Sequence, residues 1–231
     1  TRSVSYINLQ GHITWSRMQK SRHGQRLKAL LQEPQLKLTE ADVIRVLGFG
    51  VVITEYLISP LPVPPDKKED ALYAGALTNL LVMLFDHFSD NELMGNFRLV
   101  DEMLRKNKYG TGFINYGIRY LQSNSRQRFI SLLILNYFKQ IKKLSDPRDS
   151  SIRQKKAAVR YVISKMYESE KKTLAEPGKI TSTQWRHKSA LPFLAMALPA
   201  WFPTAFDHKL WIWHMRWMYA FGDLIGLIDD A

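Results

Sequence analysis

The spacing of apolar residues constrains the fold of this chain more than any other sequence feature. Apolar side chains recur every three or four residues along nearly the whole sequence, whereas the strict alternation of a half-buried strand is scarce. The Asn-Gly and Asp-Gly dipeptides that mark tight hairpins are absent. We therefore predict an all-helical protein.

Segments rich in proline, glycine or small polar residues divide the chain into helices. These segments lie at 33–39, 59–66, 106–112, 145–149 and 176–183. Between them we predict helices over residues 24–32, 40–58, 67–89, 93–106, 112–123, 125–145, 150–175, 183–202 with proline kinks, and 206–231. Thr39 and Asp42 have the spacing of a capping box at the start of the second of these helices.

One domain accounts for the whole sequence. There is no internal repeat and no low-complexity linker, so residues 1–231 are predicted to form a single bundle of about nine to ten helices. No apolar stretch reaches the roughly 20 residues of a membrane span. Arg45 and Glu55 interrupt the run 43–58, and three prolines interrupt 189–206. No transmembrane helix is predicted.

Composition limits the chemistry and the partners. The chain has no cysteine, which excludes disulfides, thiolate zinc sites and cysteine nucleophiles. Its formal charge of +12 favours anionic partners such as phosphates, nucleic acid or lipid head groups. There is no Gly-rich phosphate loop, no G-x-S-x-G elbow and no H-E-x-x-H pair. We expect a cytoplasmic protein, and the charge also suits contact with a membrane surface.

A first acidic motif, "LFDHFSDNE" at 84–92, ends a strongly apolar helix. Asp86 and Asp90 are four residues apart and share one helix face, which Asn79 and Val82 extend toward the helix start. Two such carboxylates repel each other unless a cation lies between them, and magnesium prefers carboxylate oxygens. The alternative is an ordinary solvated helix end.

A second motif, "GDLIGLIDD", ends near the last residue of the sequence. Gly222 and Gly226 are four residues apart, and Asp229 follows three residues later on the same helical face. A glycine inside a helix costs about 1 kcal/mol relative to alanine, which suggests close approach by another helix or by a ligand. Tight packing of two helices beside an acidic end is the alternative.

Both motifs resemble those of known isoprenoid enzymes. "GDLIGLIDD" is similar to the second aspartate-rich motif of trans-polyprenyl diphosphate synthases, Gly-x-x-Phe-Gln-x-x-Asp-Asp-x-x-Asp. Gly222, Asp229 and Asp230 match that motif, whereas Ile225 stands in place of Phe and Gly226 in place of Gln. "FDHFSD" resembles the Asp-x-x-x-Asp first motif of squalene and phytoene synthases and of some terpene synthases.

The resemblance implies the class I isoprenoid synthase superfamily, a helical bundle around a deep apolar cavity. In that family two facing helices carry the motifs at the cavity mouth and bind three magnesium ions, which hold the substrate diphosphate. Carried over to this chain, Asp86, Asp90 and Asp229 would be catalytic, and the same residues with Asp230 would bind magnesium. The third aspartate would fall beyond Ala231, so we expect the chain to continue with a helix that becomes an ordered lid on ligand binding.

The chain departs from two subtypes of the family. The first motif is not Asp-Asp-x-x-Asp, which disfavours a standard elongating synthase. The second motif is not the Asn-Ser-Glu type of the common terpene cyclases. The reaction subtype therefore stays open.

Basic residues could bind the diphosphate. "TQWRHKSALPF" is predicted to place Arg186, His187 and Lys188 at the start of a helix, where backbone N–H groups favour anions. A solvated basic turn is the alternative. Arg45 interrupts an apolar run, so we expect it to be buried and either paired with Glu55 or another core acid, or in contact with the ligand.

Aromatic residues are concentrated just before the second motif. Trp213, Trp217, Tyr219 and Phe221 cannot all face one way, so we expect some of them to line a cavity or a partner surface. Aromatic faces stabilise cations by about 0.5 to 2 kcal/mol, which suits a carbocation in a dry pocket. Ordinary core packing is the alternative.

These observations favour a magnesium-dependent terpene synthase that ionises a polyprenyl diphosphate and forms a cyclic or rearranged terpene. A first alternative is a prenyltransferase that elongates the chain or joins it to a second substrate. A second is a non-enzymatic basic module that binds nucleic acid or an anionic membrane, based on the charge and the Lys/Arg-rich run 153–172. No base-reading motif is present, so we expect no nucleic-acid partner. A homodimer is left open.

Overall fold

The computed structural model describes the backbone of residues 2–106, 113–179 and 181–229. These residues form eleven α-helices and two short 3₁₀ helices and include no strand, which confirms the all-helical prediction. The α-helices are α1 (Arg2–Gln19), α2 (Arg22–Leu30), α3 (Glu40–Ile58), α4 (Pro65–Asp90), α5 (Arg98–Lys106), α6 (Phe113–Leu121), α7 (Ser125–Leu144), α8 (Ile152–Ala175), α9 (Ser182–Ser189), α10 (Leu191–Ala197) and α11 (His208–Asp229). The 3₁₀ helices are Pro34–Leu36 and Leu198–Trp201.

Helix α1 corrects the sequence analysis, which predicts no helix before residue 24. It packs along α3 and buries Trp15 and Met18. A Cβ atom on Gly11 would collide with the carbonyl oxygen of Ile44, and one on Gly48 would collide with the backbone of α1. The two glycines therefore allow the backbones of α1 and α3 to touch.

Local sequence signals explain where α3 and α9 begin. The Thr39 hydroxyl accepts a hydrogen bond from the Asp42 amide at 3.1 Å, and the Asp42 carboxylate accepts one from the Thr39 amide at 3.1 Å. This capping box confirms the predicted start of α3. Thr181 and Gln184 form a second capping box, which starts α9.

The predicted proline-kinked helix 183–202 is three separate helices in the structure. α9 ends at Ser189, and α10 begins at Leu191 with Pro192 in its first turn. The 3₁₀ helix Leu198–Trp201 follows, with Pro199 in its first turn. Proline cannot donate the backbone hydrogen bond of a helix interior, so each one starts a new helix here.

Helix α4 is the central element of the bundle. It packs against α3, α7, α8 and α10. Among the described helices only α4 is long and apolar enough to cross a membrane, and 67% of its most apolar window is buried inside the protein. Its apolar content is thus explained by core packing, and the same packing fixes the position of the first acidic motif at its end.

A buried histidine anchors α11. Trp201 Nε1 donates a hydrogen bond to His214 Nδ1 at 3.1 Å, which fixes the proton of the neutral ring on Nε2. That atom lies 3.0 Å from the carbonyl oxygen of Leu57 and donates to it. Burial lowers the pKa of His214, and the hydrogen bond to Leu57 opposes that shift only in part. The neutral ring therefore links α11 to the end of α3.

Candidate active site

A cavity of about 480 Å³ lies among α3, α4, α8, α9, α10 and α11. Its lining is mixed, with a group of polar side chains beside a larger set of apolar ones. The polar members are Asn79, Asp86, Glu170, His187, Lys188 and Ser189. The apolar and aromatic members include Val82, Met83, Phe85, Met166, Trp185, Phe193 and Met196.

The two motif helices meet at this cavity. Helix α4 contributes Asn79 and Asp86, and α11 contributes Ile225 and Gly226. Sequence spacing puts Asp229 one helical turn beyond Gly226. The side chain of Asp229 and all of Asp230 lie outside the described residues, so their predicted metal role stays a prediction. The structure thus brings Asp86 of the first motif close to Ile225 and Gly226, which precede the aspartates of the second motif.

A third carboxylate belongs to the site. Glu170 on α8 is buried, and burial raises the pKa of its carboxyl group. Asp86 and Asp90 raise the Glu170 pKa further, and Lys188 opposes them with its ammonium nitrogen 3.3 Å from Glu170 Oε2. Asp86 and Asp90 are both exposed on the last turns of α4, and Asp90 is not part of the cavity lining. Negative charge is therefore concentrated at this end of the cavity.

The sequence analysis uses the run 153–172 only as the basis of a basic binding module, and it does not single out Glu170 within that run. Helical spacing contained the signal. Ile163, Met166 and Tyr167 form a buried stripe on α8, and Glu170 lies three to four residues further along the same stripe. A carboxylate at an apolar position of a helix is a candidate functional residue.

Both glycines of the second motif serve close helix packing. A Cβ atom on Gly222 would lie 2.7 Å from the Ala190 Cβ, and one on Gly226 would lie 2.6 Å from the Ser189 Cβ and 2.9 Å from Trp185 Cζ2. These contacts support packing as the reason for both glycines. The bare backbone of Gly226 nonetheless also lines the cavity.

The basic segment 186–188 lies in the last turn of α9, not at a helix start as predicted. The anion-binding argument from free backbone N–H groups therefore does not apply to it. Arg186 forms a two-pronged ion pair with Asp223, at 3.2 and 2.7 Å, and is not part of the cavity lining. Lys188 and His187 line the cavity, and burial lowers the pKa of His187.

Arg45 is exposed, which corrects the prediction of a buried residue. Its expected partner Glu55 pairs with Lys68 instead, at 2.9 Å. Arg45 lines a second cavity of about 650 Å³ between α1, α3 and α4, together with Val4 and Ile7 of α1.

The two cavities adjoin each other. Phe49, Asn79 and Met83 line both of them. Asn79 Nδ2 donates a hydrogen bond to the Val46 carbonyl at 2.9 Å, so this amide fixes α4 to α3 at the junction. Asn79 therefore has a structural contact as well as its place in the lining.

Trp213, Trp217 and Phe221 line neither cavity. The rings of Trp213 and Trp217 lie parallel, with centroids 6.0 Å apart, and Tyr56 contacts both Trp217 and Phe221. Trp213 is exposed, whereas Trp217 and Phe221 are half-buried and pack against the hydrophobic core. Phe221 reaches the site indirectly, through an edge contact with the lining residue Phe193 at 5.0 Å.

The described part of the chain contains no group of three His, Asp or Glu side chains that could hold a metal ion. Magnesium needs fewer protein ligands than three, because it is usually bound by one or two carboxylates together with waters and substrate phosphates. Asp86 and Asp90 are exposed one turn apart on α4 and supply two carboxylates of the kind that magnesium prefers. Their role as magnesium ligands stays a prediction.

Comparison with protein-family models found no family that matches the chain. Comparisons with curated proteins and with solved structures found no match either.

Proposed function

We propose that this chain is a magnesium-dependent class I terpene synthase that ionises a polyprenyl diphosphate. The observation that supports it best is the convergence of α4 and α11 on one cavity. Asp86 and Gly226 line that cavity although they are 140 residues apart in the sequence. Charged side chains line one end of the cavity and apolar side chains line the rest. Such a lining suits a substrate with a charged head and a hydrocarbon tail.

The diphosphate binds at the polar end. Lys188 leaves Glu170 and pairs with a phosphate oxygen, a stronger charge partner than one carboxylate. The hydroxyl of Ser189 is buried without a hydrogen-bond partner among the described residues, and it lines the same cavity. It therefore has a donor to offer a phosphate.

Asp86, Asp90, Asp229 and Asp230 are the residues that would hold magnesium. When bound, magnesium supplies Lewis-acid stabilisation to the departing diphosphate. The role of the aspartates is to bring negative charge to the cavity end. That charge is repulsive toward a diphosphate alone and attractive once cations are present, so binding of metal and substrate is coupled.

The hydrocarbon chain lies against the apolar lining. Phe85 and Phe193 are among the aromatic side chains of this lining, and they replace Trp213 and Trp217 as candidates to stabilise a carbocation. Phe85 is itself fixed by Tyr167, with ring centroids 5.4 Å apart. A rigid apolar wall excludes water, which would otherwise capture the cation.

The second cavity favours one alternative, prenyl transfer onto a second substrate. It adjoins the first at Phe49 and Met83 and is lined mostly by apolar residues. A co-substrate there would lie beside the cation. Product analysis separates the two reactions, because cyclisation or rearrangement needs no co-substrate.

The decisive test is turnover with geranyl, farnesyl and geranylgeranyl diphosphate, with and without magnesium. Released pyrophosphate and extracted hydrocarbons are measured together. Asp86→Asn should lower kcat at least about a hundredfold, the usual cost of losing one charge-stabilising group. Asp66→Asn is the matched control, since Asp66 is an exposed acid in the first turn of the same helix.

Two results would contradict the proposal. One is the absence of pyrophosphate release from all three substrates in the presence of magnesium. The other is equal activity of the Asp86 and Asp66 variants. Binding of nucleic acid with steep salt dependence and no magnesium requirement would instead support a non-enzymatic basic module.

A further inference from the structure

One face of α11 is apolar over four turns, with exposed residues toward its two ends and half-buried ones between them. It consists of Trp213, Trp217, Phe221, Leu224 and Ile228, and Tyr56 of α3 adjoins it; we name this set the α11 face. Trp213 is 50% exposed, Leu224 55% and Ile228 65%. Their spacing of three to four residues makes them one continuous stripe, about 22 Å long at 1.5 Å per residue.

The stripe is not the core side of the helix. The adjacent side of the helix, which carries His214, Met218 and Gly222, is buried. Exposed apolar residues that occur singly need no explanation, but a continuous aromatic stripe marks an interaction surface. The parallel rings of the exposed Trp213 and the half-buried Trp217 form its broadest part.

Positive charge flanks the α11 face. Lys209 and Arg216 are exposed along one edge of α11. Asp223, an acid of the same helix, is paired with Arg186. The surface therefore combines Trp, Leu and Ile with the exposed basic side chains of Lys209 and Arg216, in a chain of net charge +12.

We propose that the α11 face docks on the surface of an anionic phospholipid bilayer. Tryptophan side chains prefer the boundary between head groups and acyl chains, and each nearby Lys or Arg adds about 1 kcal/mol of attraction to anionic lipid. A partner protein could cover the apolar residues, but a bilayer also accounts for the basic edge.

If the proposed function holds, docking would bring the cavities close to substrate dissolved in the membrane. Phe49 is 49% exposed, lines both cavities and lies on α3, the helix whose Tyr56 adjoins the α11 face. A prenyl chain dissolved in the bilayer would then enter the apolar cavities without crossing bulk water. The docking itself is independent of any enzymatic activity.

Vesicle flotation tests the docking. Vesicles of phosphatidylcholine alone are compared with vesicles that also contain phosphatidylglycerol, at low and high salt. The protein should bind the anionic vesicles and dissociate as salt increases. Leu224→Glu should weaken binding by about tenfold to a hundredfold, the value of burying one leucine. Leu121→Glu is the matched control, because Leu121 is 80% exposed on α6.

A second pair of variants tests the charge. Arg216→Glu and Lys172→Glu each reverse one exposed positive charge, so they alter the net charge equally. Only Arg216 adjoins the α11 face, and its reversal should weaken binding on the order of tenfold more than that of Lys172. Thermal unfolding of each variant confirms that the fold is retained.

Three outcomes would overturn the proposal. The first is no binding to anionic vesicles. The second is equal binding by the Leu224 and Leu121 variants, or by the Arg216 and Lys172 variants. The third is a dimer in solution that Leu224→Glu dissociates, which would identify the α11 face as an interface between copies. None of these readouts measures turnover, so they leave the test of the proposed enzyme separate.

Discussion

Replacing Lys188 by methionine would leave the carboxylate of Glu170 without its cation. In the structure the side chain of Glu170 is 9% exposed and that of Lys188 is 28% exposed, with 3.3 Å between their charged atoms. Methionine keeps the length of the lysine stem and removes only the ammonium group. The variant therefore isolates the charge.

The expected loss of unfolding free energy is about 1 to 3 kcal/mol. Breaking a fully buried pair costs about 3 to 5 kcal/mol, because one charge stays buried and uncompensated. The exposed part of Lys188 and the open cavity beside it reduce that figure toward the cost of one unsatisfied polar group. For a chain of this size the melting temperature should fall by about 2 to 12 °C.

The loss should depend on pH. Folded Glu170 has a pKa above its ordinary value of 4.5, so the folded state holds the proton more tightly than the unfolded state. The free energy of unfolding therefore falls as pH rises from 4.5 through the raised pKa. Without Lys188 that pKa rises further, and the variant should lose more stability at about pH 8 than at about pH 5.

Thermal unfolding of Lys188→Met, Glu170→Gln and the double variant at both pH values measures this. The double variant should recover most of the stability that Lys188→Met loses, because no buried charge remains. An equal loss at both pH values, or no recovery in the double variant, would refute an electrostatic role for the pair. The loss would then come from side-chain packing.

Two further outcomes follow from packing and burial. Gly222→Leu should destabilise the protein by about 1 to 3 kcal/mol, because its Cβ would collide with Ala190. The control Gly95→Ala should change the stability little, since no atom lies within 4 Å of a Cβ at that position. Equal unfolding curves for both variants would contradict the close approach of α11 to α9. Because the pKa of His214 is lowered in the folded state, its contribution to stability is complete above pH 6.5 and is lost as the pH falls below that value. In His214→Gln the melting temperature should therefore fall less steeply on the acid side of pH 6.5 than in the wild type. An unchanged slope would show that another group controls it.

Helix starts and the acidic end of α4 could be predicted because their signals are local. Thr39 and Asp42 need only each other to form a capping box. Asp86 and Asn79 share a face of α4 through helical geometry alone, and both line the cavity.

Helix α1 could not be predicted because its contact side is not uniformly apolar. Gly11 and Thr14 interrupt the stripe that contains Trp15 and Met18. Gly11 lies on the contact side because it is small, and the periodicity of apolar residues gives no information about side-chain size. The stabilising contact depends on α3, which is remote in sequence.

The aromatic residues of α11 show a different limit. Helical periodicity assigns Trp213 and Trp217 to one face, but it does not determine which neighbouring element covers that face. Arg45 shows the same limit, since an arginine inside an apolar run can lie on the one side of the helix that remains open. Such assignments require tertiary structure.

The contact of α1 with α3 has a consequence for how this sequence can diverge. The backbones of α1 and α3 touch at Gly11 and Gly48, so any larger side chain there must push the helices apart. Substitution is therefore restricted at both positions. The exposed residues of α1, such as Val4 and Leu9, have no such restriction. In related genes we therefore expect glycine to persist at 11 and 48 while the exposed positions of α1 change freely. A pair of small residues 37 positions apart would then be the most durable mark of shared ancestry in this half of the chain.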